Sequence, residues 1–289
     1  MVFTFQFGFS QEKKTEEKQL DEVKVQATQK GLKKSIKGTA NTTIVSSKEL
    51  LKAACCNLAE SFETNPSIDV NFSDALTGTK QIKMLGLTSP YIMITEENIP
   101  SVRGASQAYG LSFTPGTWVE SIQITKGAGS VVNGYESISG QINTELLKPM
   151  NDVPFFLNVY GSTDSRFELN THFNKKLSDK WTTSLFVHGN TRISKNDMND
   201  DGFLDNPLGK QINITNRWQY SNPESGWVSF LNFRFMNDEK QTGQIDFNPD
   251  RDRFTTNFWG SEINTQRFDI ASKTGYVWKD MPFQSIGFQ

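Results

Sequence analysis

The chain has 289 residues, with 30 Lys and Arg against 32 Asp and Glu and a formal net charge of -2, so nothing in its charge favours nucleic acid or an anionic membrane surface. Mean hydropathy is -0.51, and no apolar run approaches the roughly 20 residues a spanning helix needs. A bundle of membrane helices is excluded, which leaves a soluble protein or a β-barrel whose alternating faces average to a hydrophilic score.

Residues 1–10, MVFTFQFGFS, are short and apolar and end on a small residue before the charged QEKKTEEKQ. They read as the remnant of a secretory signal. Without a positive n-region, that signal is expected to begin upstream of Met1; the other reading is a disordered or strand-forming N-terminus. No Cys stands at the junction, so a lipoprotein anchor is not indicated. Residues 11–41 form a polar segment that contains LDEVKVQATQKG. Leu20, Val23 and Val25 make a short run of β-formers there. It suits either addition to the edge of another protein's sheet or the first strand of the domain that follows.

Residues 42–149 read as a small α/β domain. TTIVSSKELL gives a strand followed by Ser46 and Glu49 at capping-box spacing. Leu51, Cys55, Leu58 and Phe62 then recur at helical spacing until Asn65-Pro66 ends the helix. Short strands are predicted in SIDVNF, QIKMLG, YIMITEENIP and WVESIQITKG. The stretch KGAGSVVNGYESISGQIN follows, where Gly127, Gly129, Gly134 and Gly140 permit positive φ and close backbone approach, as loops packed tightly against a surrounding wall require. KGAGS lacks the spacing and the Lys-Ser/Thr ending of a phosphate loop. His172 and His188 are the only histidines, and both lie beyond the domain, so it contains no histidine triad or histidine-bearing zinc site. No catalytic set of acid, base and nucleophile is apparent, and the chain is not expected to be an enzyme.

Residues 150–289 change pattern. In RFELNTHFNKK, Phe167, Leu169, Thr171 and Phe173 alternate with Arg166, Glu168, Asn170, His172 and Asn174. KQINITNRWQY sets Ile212, Ile214, Trp218 and Tyr220 against Gln211, Asn213, Thr215, Arg217 and Gln219. TQRFDIASKTGYVW repeats the pattern with Phe268, Ile270, Tyr276 and Trp278. Segments of ten or more alternating residues with aromatics near their ends predict strands of a membrane barrel. About six or seven are countable, and the chain reads as a fragment or a truncated product. A surface adhesion or calcium-stabilised β-protein without transport is the rival reading.

Two smaller groups could bind metal. Asp197, Asn199, Asp201, the Phe203 carbonyl and Asp205 follow the first nine positions of a calcium loop, but its twelfth position is Leu208 instead of Glu. Calcium is one reading and an acidic solvated turn the other; no cofactor is required. Cys55 and Cys56 are adjacent and could hold a soft metal or a strained disulfide, although Cys55 on an apolar helical face suits a small buried hydrophobe.

LDEVKVQA, QIKMLGL, ITEENIP and VESIQITKGAGSVVNGYESISGQIN, in that order, resemble the TonB box and plug domain of a TonB-dependent outer-membrane receptor. The likeness covers about residues 20–149 and continues into the strands. It departs at Leu85, where many members carry Arg. What it implies is a small α/β plug domain followed by antiparallel transmembrane β-barrel strands, with the barrel incomplete in this chain, since such transporters have about 22 strands. Residues 11–41 become a periplasmic segment whose TonB box, Leu20, Asp21, Glu22, Val23, Lys24 and Val25, would pair with TonB and its inner-membrane energy-transducing complex. The other partners implied are outer-membrane lipid and a small-molecule or metal-chelate ligand, with no nucleic acid. The chain is expected in the outer membrane, its plug facing the barrel lumen and periplasm, and serving uptake of a scarce ligand such as a ferric siderophore.

Overall fold

The computed structural model describes residues 32–34, 41–50, 57–62, 68–72, 79–129 and 134–289. The first part of the chain comprises strands β1 (Leu32–Lys34) and β2 (Asn41–Ser46), helices α1 (Ser47–Leu50) and α2 (Leu58–Ser61), and strands β3 (Asp69–Phe72), β4 (Lys80–Met84), β5 (Leu87–Thr88), β6 (Ile92–Glu96), β7 (Ile99–Pro100), β8 (Val119–Lys126) and β9 (Gly140–Leu146). A six-stranded sheet runs in the order β1-β2-β8-β9-β6-β7, and β3-β4-β5 form a second, smaller sheet. The larger sheet takes in Leu32–Lys34, upstream of the boundary at Thr42 that the sequence suggested.

Burial explains why these residues pair as they do. Ile122, Ile124 and Ile142 are fully enclosed, and Val45, Leu58, Phe62, Ile82, Met84, Ile92 and Ile94 pack with them into one core. In β8 the buried residues Ile122 and Ile124 alternate with half-buried polar ones, as a strand with one covered face requires.

The helix expected from Ser46 to Asn65 is replaced, among the described residues, by two single turns. Asn57 is the reason. Its backbone is extended, with φ -146, and its side-chain oxygen accepts the Glu60 N–H at 3.1 Å, so it starts a helix instead of continuing one. The Glu49 side chain and Cys55 and Cys56 lie outside the described residues.

The second part is a single antiparallel sheet of seven strands in sequence order: β10 (Phe155–Gly161), β11 (Arg166–Lys176), β12 (Trp181–Arg192), β13 (Leu208–Asn222), β14 (Trp227–Gly243), β15 (Gly260–Trp278) and β16 (Met281–Phe288). Its connections differ by end. Residues 177–180, 223–226 and 279–280 make tight turns, whereas at the opposite end a short turn at 162–165 is followed by long loops at 193–207 and 244–259, the last carrying helix α3 (Pro249–Asp252).

This sheet is polar where it is covered and apolar where it is open. Asn213 is 0% exposed and its neighbour Ile212 44%; Arg234 is 3% exposed and Phe233 36%. Glu168, Asn170, His172, Thr215, Arg217 and Asp238 are likewise buried, while Phe167, Leu169, Phe173, Phe235, Phe268 and Ile270 point out. Water would favour the reverse arrangement. Hydrocarbon favours this one, and the aromatics at the tight-turn end complete it, with Trp181 against Tyr220 at 5.0 Å and Trp227 against Tyr276 at 5.1 Å. No helix among the described residues is long and apolar enough to cross a membrane.

Candidate functional site

The covered face of the seven-stranded wall meets the first domain, and that contact is made mostly by polar groups. Strands β6 and β7 form a hairpin with a two-residue turn, Glu97-Asn98, since Thr95 pairs with Pro100 and Glu96 with Ile99. Both turn residues have positive φ, 52° and 64°. Such a turn matches the strand twist and is usually built from Asn and Gly; a Glu in its first position is uncommon. Its side chain has work in the wall.

Glu97 Oε1 accepts from Lys148 Nζ at 2.7 Å and from the guanidinium of Arg217 on β13. The same guanidinium donates to the Leu147 carbonyl at 2.9 Å, and Lys273 of β15 donates to the Glu97 main-chain carbonyl. One residue earlier, Glu96 Oε2 receives both terminal nitrogens of Arg234 on β14, each at 3.1 Å, while Thr215 accepts from Arg234 Nε. Burial pushes the Glu97 carboxyl up, but Arg217 and Lys148 outweigh it and hold the group below its ordinary value of 4.5.

Three further contacts continue the seam. Arg166 on β11 pairs with Glu60 at 2.9 Å, the Asn213 amide donates to the Phe113 carbonyl at 2.6 Å, and Lys240 donates to Ser112 Oγ at 3.1 Å. Trp118, 1% exposed, is the apolar anchor. It packs with Phe186 of the wall at 5.5 Å, and the Arg234 guanidinium lies 5.8 Å from its ring.

The predicted loop glycines lie on the first domain, around the end of β8 and the start of β9. Gly127 has φ +85 and Gly134 φ +147, whereas Gly129 and Gly140 have no room for a side chain. A Cβ on Gly129 would sit 2.2 Å from Ser137 Oγ, and one on Gly140 2.4 Å from Met84 Cε. Leu20 to Val25 lie outside the described residues.

Asp197, Asn199, Asp201, Phe203 and Asp205 are together in the 193–207 loop, but their carboxylates serve the loop's own backbone. Asp197 accepts from the N–H groups of Asp201 and Gly202, Asp201 from Phe203, and Asp205 from Met198, at 2.8 to 3.1 Å. Among the described residues no three His, Cys, Asp or Glu side chains are grouped to hold a metal. Phe203 bridges to Gln244, which ties this loop to the 244–259 loop.

Sequence reasoning did not single out Glu96, Glu97, Trp118, Lys148, Arg234 or Lys273. The one available signal was Glu-Asn at a hairpin turn where Asn-Gly would be commoner.

The geometry defines a class: an α/β plug held against the polar inner face of a transmembrane β-wall. Residues 34–141 match the family model described as TonB-dependent Receptor Plug Domain. Residues 34–141 are thus similar to a TonB-dependent receptor plug, and a seven-stranded antiparallel sheet follows them. Solved structures agree in fold. Pseudomonas aeruginosa FpvA, bound to heterologous pyoverdines, is 13% identical with a TM-score of 0.67, over 86% of this chain and 33% of that one. The ferric-catecholate import receptor Fiu from E. coli K12 is 13% identical with a TM-score of 0.61, covering 84% and 37%. A mutant of the ferric enterobactin receptor PfeA from P. aeruginosa, in complex with enterobactin, is 14% identical with a TM-score of 0.63, covering 84% and 40%. The chain thus spans about a third of the length of the solved receptors it resembles. No curated protein matches it.

Proposed function

We propose that the chain is the plug and first barrel strands of a TonB-dependent outer-membrane receptor for energy-coupled uptake of a scarce ligand, a ferric siderophore or another metal chelate. The observation that carries this reading is the clasp of the Glu96-Glu97 hairpin by Arg234 and Arg217 of the wall. A plug attached through charged and polar groups can rehydrate them when it is displaced, whereas one attached through an apolar core would have to expose that core to water. Receptors of this kind are not enzymes, and the function needs no covalent step. An external ligand binds over the plug, and the segment Leu20, Asp21, Glu22, Val23, Lys24 and Val25 pairs in the periplasm as a strand with TonB. Force on that strand then loosens the plug.

The siderophore receptors similar in fold support the ligand class, and the outward apolar face supports the membrane location. The test is binding of a peptide covering Leu20 to Ala27 to the C-terminal domain of TonB. Val23→Pro removes a ladder donor and fixes φ, so it is expected to abolish binding. Equal binding by the Pro variant would reject strand pairing.

A further inference from the structure

The outward face of the wall is not uniformly covered with large apolar side chains. Near the tight-turn end it holds a groove of about 730 Å³, lined by Trp181, Trp218, Ser229, Leu231, Phe233 and Ser272. Register explains the groove. Trp218, Leu231 and Ser272 occupy one cross-strand row, and Tyr220, Ser229 and Thr274 the next, so β14 and β15 each contribute a small residue where their neighbours carry large ones. The groove also interrupts the aromatic girdle. Trp181 and Tyr220 pair on one side, Trp227, Tyr276 and Trp278 cluster on the other, and Ser229 lies between them in the register.

Two pairs of polar side chains in and beside the groove are bonded to one another. Ser229 and Thr274 share a hydrogen bond of 2.9 Å, and Trp218 Nε1 donates to Asn216 Oδ1 at 2.6 Å. An occupant would therefore find few hydrogen-bonding partners there and gain chiefly by filling an apolar shape. The groove is continuous with the band of Leu, Ile and Phe side chains that faces hydrocarbon, and it opens beside the 177–180 turn, where exposed Lys180 supplies a cation at the edge of that band.

We propose that the groove binds one acyl chain of a membrane phospholipid, with the head group at the gap in the aromatic girdle beside Lys180. This rests on the membrane-facing reading of the outer surface and adds to it a defined site, as opposed to an interchangeable lipid annulus. A lipid seated there restores the packing that Ser229 and Ser272 omit.

The test is native mass spectrometry of the 289-residue chain in detergent micelles with equimolar dioleoylphosphatidylglycerol. The expected result is one retained phospholipid per chain. Ser229→Phe and Ser272→Leu fill the groove and should each lower the retained fraction at least tenfold, while Val159→Phe, on the outward face of β10, should leave it unchanged. If Ser229→Phe loses its β-sheet circular dichroism, Ser272→Leu decides alone. Equal retention by the Ser272 and Val159 variants would overturn the site, as would displacement of the phospholipid by an equimolar triacylated lipopeptide. A chain that holds neither a detergent belt nor lipid would overturn the membrane-facing reading as well, and the two failures are thereby distinguished.

Discussion

Glu97 pairs with Arg217 across the plug-to-wall seam, and its surroundings make its contribution measurable. Arg217 is 3% exposed. Truncating either partner would leave a charge in a poorly solvated place, so Arg217→Ala is expected to cost about 3 kcal/mol, the lower end of what breaking a buried pair costs. Lys148 can still partly compensate Glu97. The double variant Glu97→Ala/Arg217→Ala should cost less than the sum of the singles, a coupling that denaturant unfolding of all four proteins would reveal. Additive losses would show that the two side chains do not act as a pair. The pH dependence follows with a definite sign. The folded Glu97 carboxyl titrates below 4.5, so its stabilisation is complete above that pH and is lost as pH falls through the lowered value. Denaturant midpoints between pH 6 and 3 should therefore fall less steeply in Glu97→Gln than in the native chain. Parallel curves would remove Glu97 from the account.

At the scale of elements, the strands were the most legible part of the sequence and the helix the least. Alternation in RFELNTHFNKK and KQINITNRWQY assigned residues 166–174, 211–215 and 217–220 to their faces, because a period of two leaves no ambiguity once one face is apolar. The helix failed at Asn57. Leu58 and Phe62 kept helical spacing, but Asn57 at the N-cap restarts the turn, and spacing alone carries no information about backbone direction. The ion pairs were illegible for a different reason. Glu97 and Arg217 are 120 residues apart, and only the packing of a hairpin against a strand brings them together.

The 193–207 loop gives the prediction for this scale. If its carboxylates serve only their own backbone, chelator should not change the rate at which protease cleaves the loop. If calcium is held there, added calcium should slow cleavage and Asp201→Ala should abolish the difference. In the structure the Asp197, Asp201 and Asp205 carboxylates each accept at least one loop N–H.

For the whole molecule, the decisive feature is a sheet turned inside out relative to a water-soluble protein, with its polar face packed on a domain that has an apolar core of its own. The plug's core of Ile122, Ile124 and Ile142 belongs to itself, and the wall meets it chiefly through Arg166, Arg217, Arg234 and Asn213, with Trp118 and Phe186 as the apolar exception. Parting such a seam would expose charged and polar groups and leave the Ile122, Ile124 and Ile142 core covered. The claim on which this depends is the direction in which the strands face. It is tested by placing single spin labels at positions 211 to 220 of β13 in the micelle-bound chain, with Cys55 and Cys56 replaced by Ser, and measuring collision with molecular oxygen against a polar paramagnetic reagent. The even positions, from Ile212 to Tyr220, should favour oxygen and the odd ones, from Gln211 to Gln219, should be shielded from both reagents; a flat profile, or one of opposite phase, would contradict the account.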